Sequence, residues 1–508
     1  MISIILLLLI GVYVYIDPKK RCLSSLHLLQ LVGYDLNKYK NWLKEDSYKM
    51  FSLDPIVKED KTPLVMTDRA KRTLQRHKTL NLFLFIALLA INIIVLKADL
   101  NNNIAWTIIL IVVGLLIVFF QPSIMIWSAK LNQKREDKIN MGFYKQAQNK
   151  IKGLENLTVV GITGSYGKTS TKFITSTILK EKYKVQDTPS SYNTPMGLSK
   201  VINNELTEDK EVFIAEMGAY CKGEIKECAD LVQPQIGILT SIGPAHLETF
   251  GSIENIIATK YELIESLPED GIAIFNYDDE NLKEVAEKTK IKKYYFGLDI
   301  IDRLDVYAKD IAVSEKGSSF TLVIKDLGRI PCQTKILGRH NIRNILAGAT
   351  AAFTLGLDLD QIALGISKIE PIDHRLSLID SPNGVIIIDD GFNSNPAGAR
   401  AALEVLNEFK NGKKIIVTPG MIELGELEYI ENKKFGQEIS KVADLVFLIG
   451  KKRTTAIREG LIEENFTDDN IFSCDSLNEA TEIFSTMLNP GDVILFENDL
   501  PDNYSEEE

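Results

Sequence analysis

The segment from Val159 to Ser170, Val-Val-Gly-Ile-Thr-Gly-Ser-Tyr-Gly-Lys-Thr-Ser, constrains this chain more than any other stretch. It joins a β-branched run to a glycine-rich loop ending in Gly-Lys-Thr, so a strand must turn sharply into a helix. Such a turn is a phosphate cradle. Gly164 and Gly167 let backbone N–H groups close round phosphate oxygens, Lys168 reaches the terminal phosphates, and the Thr169 hydroxyl suits Mg²⁺. The helix beginning here, with Ser170 in its first turn, points its positive end at the anion. The expected ligand is ATP with Mg²⁺. In the general spacing a glycine falls at 162; here Ile162 stands there, flanked by Gly161 and Gly164. A plain glycine turn would need neither the lysine nor the hydroxyl.

A chain of 508 residues has room for about three domains of ordinary size. Its 58 basic and 69 acidic side chains give a net charge of −11, and nothing in their distribution suggests a nucleic-acid partner. The stretch Glu497–Glu508 reads as an acidic, solvated tail. Cys22, Cys221, Cys228, Cys332 and Cys474 form no CxxC pair and have no zinc-ligand spacing, so they read as reduced thiols.

Residues 1–150 differ from the rest, with apolar runs Ile2–Ile16, Leu80–Leu96 and Ile104–Trp127. The third is long enough to span a bilayer, while the first two fall short of the roughly 20 residues a spanning helix prefers. Charge placement supports spanning: Lys19, Lys20 and Arg21 follow the first run, Arg69 to Lys78 precede the second, and Lys130, Lys134 and Arg135 follow the third. The positive-inside rule puts all three clusters in the cytoplasm, with the N-terminus and the loop Ala98–Asn103 outside. The expectation is a multi-pass membrane region of about three transmembrane helices, with cytoplasmic catalytic domains behind it.

From Leu157 onward short, nearly continuous apolar runs alternate with helical patterns: Thr158–Ile162, Val212–Met217, Ile236–Ser241 and Ile272–Asn276, then Val385–Asp389, Lys414–Thr418, Leu445–Ile449 and Asp492–Phe496. Strands of this kind belong to parallel sheets covered on both faces. The region Tyr307–Ile330 predicts an antiparallel insert, and Glu370–Leu376 a linker. The expected fold is α/β, with a central ATP-binding phosphate-loop domain over 151–370 and a Rossmann-like C-terminal domain over 371–508.

Several polar residues sit where such sheets gather ligands. Glu216 ends a strand and can ligate Mg²⁺, and His246 follows the next strand at the same sheet edge. Lys260 falls in an amphipathic helical segment, where a lone lysine is ordinarily a solvated charge. The segment Leu337–Asn344 opens a helix with polar groups suited to a base or an anion, and capping alone would also explain them. Asp389-Asp390-Gly391-Phe392-Asn393-Ser394-Asn395-Pro396 ends a strand with paired carboxylates and amides; a turn explains the asparagines but not the adjacent aspartates.

Taken in order, Gly-Ile-Thr-Gly-Ser-Tyr-Gly-Lys-Thr, Glu-Met-Gly, Gly-Pro-Ala-His-Leu-Glu, a lysine soon after, Gly-Arg-His-Asn, Asp-His-Arg and Asp-Asp-Gly-Phe-Asn-Ser-Asn-Pro resemble the Mur ligases over about residues 156–500. The likeness is greatest to the MurF branch, which adds D-alanyl-D-alanine to a UDP-muramoyl peptide. The resemblance implies that Lys168 and Thr169 bind phosphates and Mg²⁺, that Glu216 and His246 help hold metal, and that Lys260 is carbamylated to hold a second Mg²⁺. It further implies that Asn341 and Asn344 lie on the adenine side, that Arg375 meets the γ-phosphate, and that Asp390 contacts the ribose. Phe392 and Asn393 match positions near the adenine and the incoming amine, and Asn193, Thr194 and Asn395 join them as substrate-side residues. The implied reaction is ATP-dependent amide formation through an acyl phosphate, with a UDP-linked or lipid-linked muramoyl peptide as acceptor. Two departures stand out: Thr194 replaces an asparagine, and residues 17–79 show no uridine-binding α/β pattern. An anchored poly-γ-glutamate-type ligase would share the nucleotide chemistry, and a membrane-tethered nucleotide-binding scaffold would share only the fold.

Overall fold

The computed structural model describes residues 18–45, 63–97, 103–189, 192–244, 247–314, 317–371, 374–381, 383–391, 395–422 and 424–499. The chain divides into two compact units, Met1–Gly142 and Phe143–Glu508.

The first unit is helical. Helices Pro18–Leu31 and Leu36–Glu45 pack Leu26, Leu29 and Tyr39 into a small core that also takes in Ala70 and Met125. Helix Asp68–Lys97 is zipped to the start of helix Gln121–Gly153 by a polar ladder. Arg72 binds Glu136 bidentately at 2.7 and 2.6 Å, Arg76 reaches Asn132 at 3.3 Å, and the amides of Asn81 and Gln121 exchange two bonds of 3.0 Å. Past Asn81 the character changes, and Leu82, Phe83, Ile86, Ile91 and Ile94 are exposed. Among the described residues one helix, Asp68–Ile91, is long and apolar enough to cross a membrane, and only 11% of its most apolar window is buried. The expected run Ile2–Ile16 and most of the loop Ala98–Asn103 lie outside the described residues. The expected run Ile104–Trp127 is divided between helix Asn103–Phe119 and the next helix, the break at Phe120 falling just before Pro122, which has no N–H to continue the ladder. Of the expected spans, one helix among the described residues meets the length and composition of a span.

The second unit holds two sheets. The larger, of nine strands, runs β2(Val185–Asp187), β3(Val212–Glu216), β1(Thr158–Thr163), β4(Ile236–Leu239), β5(Ile272–Asn276), β6(Lys292–Gly297), β7(Val306–Ser314), β8(Gly317–Ile324), β9(Gly328–Thr334). Strands β1 to β7 pair in parallel, and β7, β8 and β9 form the antiparallel insert. Alternate residues of β1 serve two cores. Val160 and Ile162 pack with Ile174, Ile178 and helix Arg339–Thr354, whereas Val159 joins Phe213, Ala215 and Leu263 on the other face. That double burial is why the strand reads as an unbroken apolar run.

The smaller sheet runs β10(Ser377–Asp380), β11(Ile386–Asp390), β15(Val493–Glu497), β12(Lys414–Thr418), β13(Leu445–Ile449), β14(Ile471–Cys474), with β10 antiparallel to an otherwise parallel set. Glu497 corrects one expectation. It is not part of a solvated tail: it ends β15, is fully buried, and accepts a 2.8 Å hydrogen bond from Thr418 Oγ1. Residues 500–508 lie outside the described residues.

Candidate active site

Strand β1 ends at Thr163, and the loop Gly164–Gly167 carries the chain into helix Lys168–Leu179. Gly164 and Gly167 have φ of +154° and +79°; a Cβ would lie 2.1 Å from Thr240 Oγ1 at the first and 2.8 Å from Asn344 Oδ1 at the second. Both positions therefore demand glycine. Lys168 curls back over the loop, donating to the carbonyls of Gly164 at 2.8 Å and Ser165 at 3.0 Å. Burial pushes its ammonium below the ordinary lysine range, Glu216 opposes that shift, and Arg375 adds to it.

Glu216 comes from the neighbouring strand, in register with Ile162. Its Oε1 accepts from Thr169 Oγ1 at 3.1 Å and Asn193 Nδ2 at 3.2 Å, and its Oε2 lies 3.1 Å from Lys172 Nζ. Oxygen donors of this kind, at the mouth of a phosphate loop, suit a hard cation that keeps several waters and takes its remaining ligands from phosphate. Among the described residues no group of three His, Cys, Asp or Glu side chains could hold a metal by itself. His246, expected as a ligand here, lies outside the described residues.

Lys260 corrects the ordinary reading of a lone lysine. It is 3% exposed on helix Ile253–Glu265, with its Nζ 5.7 Å from the Phe250 ring centroid. Burial, then the charge of Lys168, lowers its pKa from 10.5 to about 7. It shares a chamber of about 60 Å³ with Lys168, Asn193, Gly218 and Tyr220. Thr194 caps helix Pro195–Asn204, its hydroxyl accepting from Gly197 N at 3.2 Å.

On the other side of the loop opens a cleft of about 710 Å³, lined by Tyr166, Gly167, Ser170, Asn344, Arg375 and Asp390 among others. Asn341 also lines it and is held by Leu337 O at 2.8 Å and by Asn344 Nδ2 at 3.2 Å, while Thr171 Oγ1 donates to Asn344 Oδ1 at 3.2 Å. The helix at Arg339 is thereby tied to the helix that follows the loop. Arg375 sits between His374 and Leu376, whose φ values are +60° and +48°, a strained stretch of non-glycine backbone. His374 Nδ1 lies 2.7 Å from Asp389 Oδ2, and Asp390 Oδ1 accepts from Leu376 N at 3.1 Å. Burial raises Asp390 to about 6, against the pull of the Leu376 N–H and of Arg375. Burial lowers Arg375, with Asp390 and Glu216 opposing. Asn395 caps helix Pro396–Glu408 through a 3.0 Å bond from Gly398 N. Phe392 and Asn393 lie outside the described residues.

The structure thus brings Lys168, Thr169, Glu216, Asn193 and Lys260 to one side of the loop, and Ser170, Asn341, Asn344, Arg375 and Asp390 to the other. Sequence reasoning passed over Lys172. Its spacing of four from Lys168 puts both lysines on one helix face, and that is the signal that could have found it.

Residues 162–352 match the Mur ligase middle domain, and residues 374–497 match the Mur ligase glutamate ligase domain. The chain is 33% identical over 341 residues to the UDP-N-acetylmuramoyl-tripeptide–D-alanyl-D-alanine ligase of Bacillus subtilis, covering 66% of this chain and 72% of that protein. It is 31% identical over 315 residues to the Escherichia coli ligase of the same name, covering 61% and 68%. Among solved structures, MurF from Acinetobacter baumannii superposes with a TM-score of 0.64 at 26% identity, over 71% of this chain and 77% of that one. MurF from Thermotoga maritima in complex with ADP superposes with a TM-score of 0.64 at 28% identity, over 71% and 80%.

Proposed function

This chain belongs to the Mur ligase family of ATP-dependent amide-bond ligases, and from that premise we propose that it couples D-alanyl-D-alanine or a similar amine to the carboxylate of a muramoyl peptide in cell-wall synthesis. The observation that carries this reading is the convergence of Lys168, Glu216 and Lys260 on one glycine loop, with Arg375 lining the cleft beyond it. A carboxylate oxygen of the acceptor attacks the γ-phosphorus of ATP and the bond to the ADP oxygen breaks, leaving an acyl phosphate. The amine nitrogen then attacks the acyl carbon, inorganic phosphate leaves, and the nitrogen gives up a proton. Lys168 and Arg375 neutralise charge on the phosphoryl group in flight. Glu216 and Thr169 would hold Mg²⁺, which would supply further positive charge for the phosphoryl transfer. Lys260, with much of its amine neutral near pH 7, is set up to add carbon dioxide, and the carbamate would present oxygens to a second cation. Asn341 and Asn344 serve the adenine side and Asp390 the ribose. The division we propose is a membrane region over 1–150, a central ATP-binding domain over 151–370 and a C-terminal domain over 371–508.

A second reading concerns the acceptor. Residues before 162 lie outside the matched domains, and they include the helix Asp68–Ile91 with its exposed apolar side chains. A catalytic unit tethered at the cytoplasmic face of a membrane gains local concentration only for an acceptor that is itself in the membrane. Phosphate release by the full chain, with D-alanyl-D-alanine and either UDP-linked or undecaprenyl-linked muramoyl peptide, separates the two readings. Turnover with the UDP form alone favours the first and turnover with the lipid form alone the second. Turnover with neither, across a panel of amines, would overturn the assignment of substrates.

A further inference from the structure

Lys172 lies one helical turn beyond Lys168 and lines neither cavity described above. Its side chain is 0% exposed and its Nζ stands 3.1 Å from Glu216 Oε2, on a side chain only 2% exposed. Among the described residues Oε2 takes no directed hydrogen bond and its charge is met by that ammonium, while Oε1 faces Thr169 and Asn193. One carboxylate therefore has two ends, one against a resident cation and one toward the phosphate loop.

The charges of this cluster decide what can enter it. Lys168, Lys172 and Arg375 are positive and Glu216 and Asp187 negative among the groups that act on one another here, a net of one positive charge before any ligand arrives. Free Mg²⁺ meets net repulsion there, in surroundings of low dielectric where it is poorly screened. Mg²⁺ accompanied by nucleotide phosphates brings enough negative charge to reverse the sign. A buried carboxylate left without Lys172 would be uncompensated in the empty site.

We propose that Lys172 is a resident counter-ion for Glu216, a positioning residue that compensates the carboxylate while the site is empty and excludes free Mg²⁺, so that the metal enters only with nucleotide. This rests on the reading of Glu216 as a metal ligand given above. The consequence is an ordered site: no metal is stored, and the cation comes and goes with the phosphates.

The test is a Mg²⁺ titration of the full chain without nucleotide, read as the thermal unfolding midpoint, alongside binding of a fluorescent ADP analogue with and without Mg²⁺. Lys172→Met keeps the length of the stem and removes the charge. Its midpoint is expected to respond to Mg²⁺ alone at a concentration at least tenfold lower than wild type, about 1.4 kcal/mol, whereas Lys172→Arg behaves as wild type. If Lys172→Met does not fold without metal, the double variant Lys172→Met, Glu216→Gln is expected to fold and to ignore Mg²⁺. Equal Mg²⁺ responses in wild type and Lys172→Met, or an equal shift in Lys172→Arg, would overturn the counter-ion role. Glu216→Gln separates the two layers: if it leaves the Mg²⁺ dependence of ADP binding unchanged, the metal-ligand reading falls and takes this proposal with it. A Glu216→Gln effect without a Lys172→Met effect sinks the counter-ion role alone.

Discussion

Replacing Lys260 by methionine should make the protein more stable and inactive at once. Burial brings the Lys260 ammonium from 10.5 to about 7. At roughly 1.4 kcal/mol per pH unit, that gap is a penalty of about 5 kcal/mol on the folded state wherever the unfolded lysine is charged and the pH lies below 7. Between the two values the unfolded chain holds the proton and the folded chain does not, so stability rises with pH across that window and the penalty is gone above 10.5. Methionine fills the same 3%-exposed slot without a charge. In buffer free of carbon dioxide, urea unfolding at pH 7 should show Lys260→Met more stable by roughly 2–4 kcal/mol, allowing for imperfect packing. The advantage should shrink to about a third by pH 9.5. Ligation should be lost, and for wild type alone added bicarbonate should raise both stability and activity. A methionine variant no more stable at pH 7, or a difference that ignores pH, would refute the reasoning.

Three further outcomes follow from the same geometry. Gly167→Ala places a Cβ 2.8 Å from Asn344 Oδ1 at a φ of +79°; it should lower stability by about 1–3 kcal/mol and weaken ATP binding, as seen by calorimetry. Arg375→Lys loses the planar fork that matches phosphate oxygens, so steady-state kinetics should show kcat down by about 10²–10³ with the KM for ATP less affected. Asp390→Asn removes a carboxylate that burial raises from 3.8 to about 6. The folded state holds that proton more tightly than the unfolded one, so wild-type stability falls as pH rises through that window. The variant should therefore gain about 2–3 kcal/mol over wild type above pH 6 and nothing below 3.8, measured by urea unfolding across pH.

The parallel strands were legible because burial on two faces makes them continuously apolar, as at Thr158–Thr163 and Leu445–Ile449. The edge strands β2 and β14, and β6 between β5 and β7, carry weaker signals. Val-Gln-Asp is three residues long, Lys-Lys-Tyr-Tyr-Phe-Gly begins with two lysines, and Ile-Phe-Ser-Cys is half-buried, so none carries the signal of a central strand. The phosphate loop was legible because its glycines are required by backbone conformation, a local property. Burial of charge is a tertiary property. Nothing near Lys260, Lys172 or Glu497 in sequence says that a helix face or strand end will be sealed, and for that reason Lys260 stands out only through the family resemblance and Glu497 reads as tail. Asn395 and Thr194, which the resemblance puts on the substrate side, also cap helices, a local role that their Asn-Pro and Thr-Pro contexts signal.

The claim on which the rest depends is that ATP activates an acceptor carboxylate by direct phosphorylation in the cradle around Lys168. A muramoyl-peptide acceptor labelled with heavy oxygen in its terminal carboxylate, incubated with the full chain, ATP, Mg²⁺ and D-alanyl-D-alanine, tests this through mass analysis of the released phosphate. The account predicts one labelled oxygen per phosphate, the other retained in the amide product, and neither product from Lys168→Ala. Amide formed with unlabelled phosphate, or undiminished turnover in Lys168→Ala, would contradict it.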